Sequence, residues 1–478
     1  MRGIFAIAVA VVVLACACEH REPYVCAASD QCVLGGAPGV CEPTGFCSFD
    51  DSACESGRRY EPNAGDELAG ACVEREAPPE VCGAVAQTCC STGPACIANG
   101  RCSGGTCARC VTDVALGRHA ACVLRHDGTV WCAGENREGQ LGFGITGDPV
   151  PMWTQARDAT SAPITDATAV TGGNENACAV RAGGTVWCWG RGFGTSAVQI
   201  VKTDDAPLTG IVEVGMGYGH RCGRDDAGGV WCWGDNGSGQ LGDGTTGASR
   251  AKAAPVLAAP GGAPFTGARS LSVGGSHACV LAVDDALWCW GRNNSGQLGD
   301  TSNMTRTTPV MIGTAISVAG GQSHNCFARP DGTAWCSGDR WRNRLGIGVS
   351  GYDSNLPSNY PTPMQVVMTR GGPPLTNVRQ VAAGGVSCAL AGKAVYCWGD
   401  SLYGQTGTGA GSTTPAPVRT TDGEPLTGVE RIVAHGPHAC AFREDGEILC
   451  WGRGIDGLFG DGRFDNRGLA RPLGFSCQ

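Results

Sequence analysis

Cysteine and histidine are the residues through which this chain could do chemistry, and their spacing limits what that chemistry is. Thirty of the 478 residues are cysteine, too many to keep reduced and idle, so an oxidising compartment and a disulfide framework are expected. Fourteen form a recurring pair: Cys122/Cys132, Cys178/Cys188, Cys222/Cys232, Cys279/Cys289, Cys326/Cys336, Cys388/Cys397 and Cys440/Cys450, the first members on average 53 residues apart. Fourteen more crowd between Cys18 and Cys110, where Cys107-Ala-Arg-Cys110 has the spacing of a zinc or redox motif. A zinc site needs two such pairs or nearby histidines. None stands between His20 and His119, so disulfides are the simpler reading. Five histidines, His119, His220, His277, His324 and His438, stand beside the first cysteine of their repeats. They could form a metal ring around a common axis, but structural imidazoles bonded to neighbouring backbone explain their regularity more simply.

The elements that position these residues are short strands. In the first repeat, a three-residue loop His126-Asp127-Gly128 sets Arg125 opposite Thr129 and so Cys122 opposite Cys132. Gly128 then takes the left-handed position of a bulged hairpin. Gly184, Gly228, Gly332 and Gly446 fall at the same offset, with Asp285 in the fourth repeat, and a two-residue turn Gly392-Lys393 serves the shorter sixth. Either turn puts the cysteines on a non-hydrogen-bonded pair, where Cα atoms lie closest, so seven intrablade disulfides are expected. Each closes a ring of about eleven residues, worth up to roughly 2–3 kcal/mol in the loop-entropy account. Ten of the twelve tryptophans flank the second cysteine, as in Trp187-Cys-Trp189. On a strand both indoles face one side and the sulfur the other, so both faces of each unit carry packing groups. A fourth apolar stretch follows, such as Pro255-Val256-Leu257 or Pro309-Val310-Met311-Ile312. Four short strands, repeated seven times, is the grammar of an all-β, seven-bladed β-propeller, here over residues 111–478.

The front of the chain has a different character. Met-Arg-Gly and the apolar run Ile4–Ala15 form a secretory leader too short to span a bilayer. Val13-Leu14-Ala15-Cys16 is similar to a lipoprotein box, which would make Cys16 the lipidated first residue. Cleavage within Ala15-Cys16-Ala17 would instead leave Cys18 first. Residues 1–17 are therefore assigned to a signal peptide with this lipobox. Residues 18–75 and 81–110 follow as a small disulfide-rich N-terminal region of two modules around a linker at 76–80, each unable to hold a core without cross-links.

Trp233-Gly-Asp-Asn-Gly-Ser-Gly-Gln-Leu-Gly242 and Trp290-Gly-Arg-Asn-Asn-Ser-Gly-Gln-Leu-Gly299 resemble the signature of the regulator of chromosome condensation repeat family. Gly134–Gly142 and Trp398–Gly407 follow the pattern, as do the histidines of His220-Arg-Cys222, His277-Ala-Cys279, His324-Asn-Cys326 and His438-Ala-Cys440. The resemblance implies a seven-bladed β-propeller. Repeat two lacks Gln-Leu-Gly, and repeat five replaces the tract with Gly338-Asp-Arg-Trp-Arg-Asn-Arg-Leu-Gly346, so altered loops are expected there. The Cys-rich modules look like those ahead of such propellers in secreted proteins of myxobacteria. The family namesake is a nuclear exchange factor for a small GTPase that docks on chromatin. A leader, paired cysteines and a net charge of −9 argue against carrying that role over, and without a basic excess nucleic acid is not an expected partner. A secreted relative that inhibits a β-lactamase resembles this chain more closely in address.

Catalysis finds little support. Asp127-Gly-Thr-Val-Trp131 and Asp331-Gly-Thr-Ala-Trp335 are similar to the Asp box of sialidase-type propellers, but one residue short, and read as turn chemistry. A glycosidase needs two convergent carboxylates and a covalent hydrolase a nucleophile beside a base; neither stands out. Gly242-Asp-Gly-Thr-Thr and Gly460-Asp-Gly could bind calcium weakly, though solvated turns are simpler. No catalytic, cofactor or metal residue is assigned. Function in a propeller sits in loops that break the repeat, and the longest, between Gly346 and Pro374, offers Tyr352, Asn355, Asn359 and Tyr360 as a candidate binding rim, with an unstructured crossover the alternative. The expected protein is an extracytoplasmic, monomeric scaffold of the bacterial cell envelope, facing the periplasm or the surface, or a secreted one. Its ligand would be a protein or a glycan, and its membrane attachment a lipid alone. A secreted polysaccharide hydrolase or lyase, and an inhibitor of a secreted enzyme, are the rival readings. Cys477 is positioned to tie the end of the propeller back, with Cys110 as candidate partner.

Overall fold

The computed structural model describes residues 110–475, together with the backbone of seven short strands between Val33 and Arg109. The leader, Cys16, Cys18, the linker at 76–80 and Cys477 lie outside the described residues. The chain divides into two units, residues 1–81 and 82–478. The first contains a hairpin, Val33–Leu34 with Ala37–Pro38, and a three-stranded sheet, Val40–Cys41, Cys47–Asp50 and Arg58–Tyr60.

The second unit holds seven four-stranded antiparallel meanders. Blade one comprises Val111–Leu116, Ala120–Arg125, Val130–Asn136 and Gly147–Gln155, and blade seven comprises Val429–His435, His438–Arg443, Ile448–Gly452 and Arg467–Pro472. The hairpin register is as the turns require: Cys122 opposes Cys132 across the loop closed by Arg125 N–H to Thr129 O, and Cys388 opposes Cys397 in the sixth blade. Each blade carries one disulfide between its two inner strands. In chain order these are Cys122–Cys132, Cys178–Cys188, Cys222–Cys232 and Cys279–Cys289, then Cys326–Cys336, Cys388–Cys397 and Cys440–Cys450. Their Cα atoms lie 4.0–4.1 Å apart, the spacing of a non-hydrogen-bonded pair. Asp285 takes the left-handed turn position with φ 65°. The fourth strand contains the apolar run Pro309–Ile312 in blade four, where it is Arg306–Thr314, but differs from that reading in blade three. In blade three it is Gly247–Pro255, largely exposed, and Val256 lies just past its end. An outer edge facing water has no need of apolar alternation.

The core is the set of interfaces between blades. The disulfide of each blade faces the aromatic side of the next. Cys178 and Cys188 share a cluster with Trp231 and Trp233, and Cys222 and Cys232 with Trp288 and Trp290. Cys279 and Cys289 pack with Phe327 and Trp335, Cys326 and Cys336 with Trp398, and Cys388 and Cys397 with Trp451. At the seam, Cys440 and Cys450 of the last blade meet Trp131 and Trp153 of the first. The tryptophan after the second cysteine is fully buried in five blades, as Trp189, Trp233, Trp290, Trp398 and Trp451. Loss of one such indole would cost about 3–5 kcal/mol.

The signature tract is the receptor for that indole. Asn236 Oδ1 accepts the Leu241 N–H and Gln240 Oε1 accepts the Ser238 N–H, which folds the loop. The Gln240 carbonyl then accepts the Trp290 indole N–H at 3.1 Å, and the ring rests against Gly242. Trp189 on Gln140, Trp398 on Arg344 and Trp451 on Gln405 repeat the arrangement. Where blade five has Ser337 instead of tryptophan, its hydroxyl takes the same bond, to the Gln297 carbonyl. Blade two lacks the tract, and Trp233 Nε1 is buried without a partner.

Among the described residues no strand is exchanged between the chain ends, and the ring is closed by side chains together with one backbone bond, Gly462 N–H to Pro151 O at 2.9 Å. Blade one has Ala133 at the indole position, and Trp153 from its outer strand packs against Gly460 instead, donating to Gly474 O at 2.7 Å. Phe475 packs edge-on against Trp131 and Trp153, and Cys110 lies in the same cluster and is disulfide-bonded.

Gly242 has φ +67°, and a Cβ there would meet Trp290 Nε1 at 2.7 Å, whereas a Cβ on Gly237 meets nothing. Gly242→Ala is therefore expected to destabilise the oxidised protein by about 2 kcal/mol or more and Gly237→Ala by well under 1 kcal/mol. Thermal and denaturant unfolding of the two variants checks this; equal losses would separate the indole stack from glycine's role.

Candidate functional site

The first strands of the seven blades line a central channel of about 400 Å³, walled largely by Val, Ala, Gly and Leu but also by Asp113, Glu213, Arg431 and His435. Asp113 pairs with Arg431 and Glu213 with Arg224, each at 2.9 Å, and burial pushes the pKa of both carboxyls up. The disc has two faces. One carries the tight hairpins and the links between blades; the other, the loop face, carries the turn after each first strand and the signature tract after each third.

On the loop face the channel is nearly shut. The seven tips converge and bond to one another: Arg118 N–H to Gly173 O, Tyr218 N–H to Gly275 O, Gly275 N–H to Gly321 O, and Gly385 N–H to Gly436 O. A Cβ on Gly217 would lie 2.5 Å from Gly274 O and 2.4 Å from the His220 ring, so glycine is required where the backbones crowd the axis.

Four of the five histidines sit beneath these tips, fully buried. His277 Nε2 bonds Asn325 Oδ1 at 2.9 Å, His324 Nε2 bonds Ser387 Oγ at 2.8 Å, and His438 Nε2 meets Gly117 O. Each partner belongs to the next blade, so these imidazoles are interblade pins rather than metal ligands. Neither ring nitrogen of His220 has a partner. His119 departs from the set. It stands three residues before Cys122 instead of two, and Ala120 occupies the histidine position, so its ring turns outward. His119 Nδ1 lies 2.9 Å from Asp456 and 3.6 Å from Glu135. Among the described residues this trio is the one group with metal-ligand proximity. Arg453 and Arg137 already pair with its carboxylates at 3.3 and 3.5 Å, which makes it a charged clasp across the closing seam.

The acidic motifs are likewise occupied. Asp127 accepts from the Thr129 N–H and hydroxyl, whose oxygen takes the Trp131 indole N–H, and Asp331, Thr333 and Trp335 do the same. Both are turn chemistry. Asp243 is held by Thr245 and by Arg250 at 2.8 Å, and Asp461 by Arg467 at 2.6 Å, leaving neither carboxylate for calcium.

The blade-five insertion is ordered. Arg340 is buried and its guanidinium donates to the carbonyls of Ser350, Asp353, Leu356 and Pro357, gathering the crossover into one compact loop. Tyr352 is 53% exposed and meets Trp341, 49% exposed, edge-to-face at 4.8 Å. Asn355 is exposed beside it, its N–H bound to Asp353. Asn359 and Tyr360 belong instead to the strand Asn359–Gln365: Tyr360 pairs with Gly338 and packs against the blade-five core, so it is no rim residue. Trp341, Arg344, Tyr218 and Arg118 are not among the candidate residues that the sequence singles out. Two signals pointed to them: the broken tract in blade five, and the one tip position, occupied by Arg118, Asn174, Tyr218 and Gln322, that varies while its neighbours repeat.

Burial holds the imidazoles of His277 and His438 down to about 4 and that of His220 to about 3. Histidines neutral in the fold but charged when unfolded bind protons only on unfolding as pH falls below about 6.5. Stability is therefore expected to be level above pH 7 and to decline between about pH 6.5 and 4. Melting temperatures across that range check it, and His277→Gln should flatten the slope.

The Regulator of chromosome condensation (RCC1) repeat matches residues 111–140, 211–240 and 268–297, and in a second form 227–281 and 284–328. The Ultraviolet-B receptor UVR8 of Arabidopsis thaliana is 27% identical over 201 residues, 40% of this chain and 43% of the receptor. The E3 ubiquitin-protein ligase HERC2 of Homo sapiens is 28% identical over 188 residues, 38% of this chain and 4% of the ligase. The chain thus spans less than half of either relative's length. Among solved structures, human WBSCR16 is similar at a TM-score of 0.49 and 18% identity, covering 76% of this chain and 81% of that one. Yeast RCC1 (Prp20), solved with Kap60, is similar at 0.45 and 19%, covering 76% and 74%.

Proposed function

From the premise that the chain belongs to the regulator of chromosome condensation repeat family, we propose that it is an extracytoplasmic scaffold whose propeller binds another protein without transforming it. One observation carries this reading. The groups that recur from blade to blade, namely cysteines, indoles, histidines and signature amides, are consumed by packing between blades, whereas the residues that vary gather on the loop face. A surface of varied, exposed aromatic and arginine side chains on rigid supports is suited to recognising a protein.

The oxidising address is supported by seven disulfides and by the leader-like residues 1–15. Attachment through a lipid on Cys16 rests on the sequence Val13-Leu14-Ala15-Cys16. Of thirty cysteines, lipidation at Cys16 leaves 29 behind it, an odd set, whereas lipidation at Cys18 leaves 28. The acceptor is therefore to be tested at both positions.

The oxidised full chain, immobilised and exposed to envelope proteins and polysaccharides of the source cells, is expected to retain a protein with no new reducing ends or cleavage products in the flow-through. Turnover would replace binding with catalysis, and retention of polysaccharide alone would replace the protein partner with a glycan. Labelling the same cells with a palmitate analogue is expected to mark the chain and to miss Cys16→Ala. Label surviving in that variant and lost in Cys18→Ala would move the anchor.

A further inference from the structure

We propose that the loop face around the axial mouth is a docking surface for an acidic, extended segment of a partner protein. Arg118, Arg292, Arg342 and Arg344 would take its carboxylates, and the Trp341–Tyr352 pair an apolar side chain. The inference rests on the protein-binding reading and specifies its surface and partner.

Charge is the first support. Arg344 is 5% exposed, its nearest carboxylate is Asp339 at 3.9 Å, its Nε has no partner, and one Nη bonds the Gln322 amide oxygen at 2.8 Å. A cation held this deep without a close counter-ion is costly alone and is relieved by an incoming carboxylate. Arg344 lies within electrostatic range of both Tyr218 and Tyr352, and Tyr218 also feels Arg118 and Arg292. Among the described residues neither Arg118 nor Arg292 forms an ion pair, and Arg342 reaches Asp400 only at 3.8 Å. These four guanidiniums share the loop face with Asp339 and Asp400, and also with Asp235 against the Gly219 tip and Asp353 beside Tyr352. The preference for an acidic segment therefore rests on the buried, weakly paired Arg344 and the unpaired Arg118 and Arg292 rather than on an excess of cations.

Rigidity is the second. Arg342 and Asn343 are consecutive non-glycine residues in the left-handed region, φ 62° and 61°, a conformation that costs on the order of 1 kcal/mol per residue and persists where surroundings enforce it. Here Asn343 Oδ1 accepts the Gly351 N–H, and Arg340 binds the crossover carbonyls. The strained turn fixes Trp341 and Arg342 before any partner arrives, which lowers the entropy cost of docking.

The aromatic geometry selects the kind of partner. Trp341 and Tyr352 meet at 66°, forming a notch with an edge rather than the flat shelf on which a sugar ring stacks. A peptide side chain suits the notch, and the arginines suit carboxylates beside it.

The probe is a fluorescein-labelled decapeptide of alternating Glu and Leu, titrated by anisotropy into the oxidised full chain. Alternating Gln–Leu and Lys–Leu peptides and an oligogalacturonate of similar charge compete in parallel. The acidic peptide is expected to bind roughly tenfold more tightly than its Gln counterpart, with affinity falling as salt rises. Arg118→Glu and Trp341→Ala, both at exposed positions, are each expected to weaken it roughly fivefold or more, while Arg419→Glu on the opposite face leaves it unchanged. Unchanged melting temperatures exclude unfolding as the cause. Equal affinity for the Gln or Lys peptide, equal loss in Arg419→Glu, or preference for oligogalacturonate would overturn the proposal. If the protein captured by the immobilised chain binds Arg118→Glu and Trp341→Ala undiminished, this surface is wrong while the protein-binding reading stands.

Discussion

An indole laid against a glycine backbone, with its N–H given to the carbonyl two residues earlier, is the contact on which the rest of the propeller depends. It accounts for the pairing of the motif of one blade with the tryptophan of the next at four of the interfaces: Gln240 and Gly242 form a seat, and Trp290 fills it. The sulfur pair on the other side of each sheet gives the same interface its second surface. Because a β-meander cannot bury both faces by itself, every blade is stable only as a neighbour. The blade-five substitution shows how narrow the requirement is. Ser337 keeps the hydrogen bond to Gln297 while giving up the indole's bulk, and Phe327 and Trp335 fill out that interface against Cys279 and Cys289.

The interior leaves little to adapt. Histidines pin one blade to the next and glycines let seven backbones meet at the axis, so a change at any recurring position is felt by two blades. Variation gathers at the tip residue and at the signature tracts that blade two lacks and blade five has rewritten. The same insertion that breaks the repeat supplies the strained turn, the buried arginine and the exposed aromatics. Structure and recognition are thereby separated by position in the repeat rather than by domain.

Much of this was legible in the sequence because turns fix register. A left-handed residue at a constant offset determines which cysteines face each other, so that Cys336 meets Cys326 and Cys450 meets Cys440. A one-residue shift would have thrown all of them to opposite sides of the sheet. The outer strands were less legible because water on one edge removes the alternation that marks a strand. His119 was misread by one position, a difference that turns a side chain from the interior to the seam. Tyr360 was misread for a similar reason, since its place in the blade-five sheet depends on a pairing with Gly338 across the insertion. The basic patch was only partly legible: the broken blade-five tract and the varying tip position marked its members but not their meeting. Arg118 belongs to the first blade and Arg344 to the fifth, and they reach the same mouth only because the ring closes.

Among the described residues that closure uses no borrowed strand: every blade is an uninterrupted stretch of chain, and the seam is sealed by Trp153, Phe475, the His119 clasp and the Gly462–Pro151 backbone bond. The ring therefore has no privileged starting point in its topology. Whole repeats can be duplicated, lost or exchanged as single segments of coding sequence, and blade five can be remade without threading any neighbour. Such an architecture allows a lineage to replace its recognition loop while inheriting the remaining six blades intact.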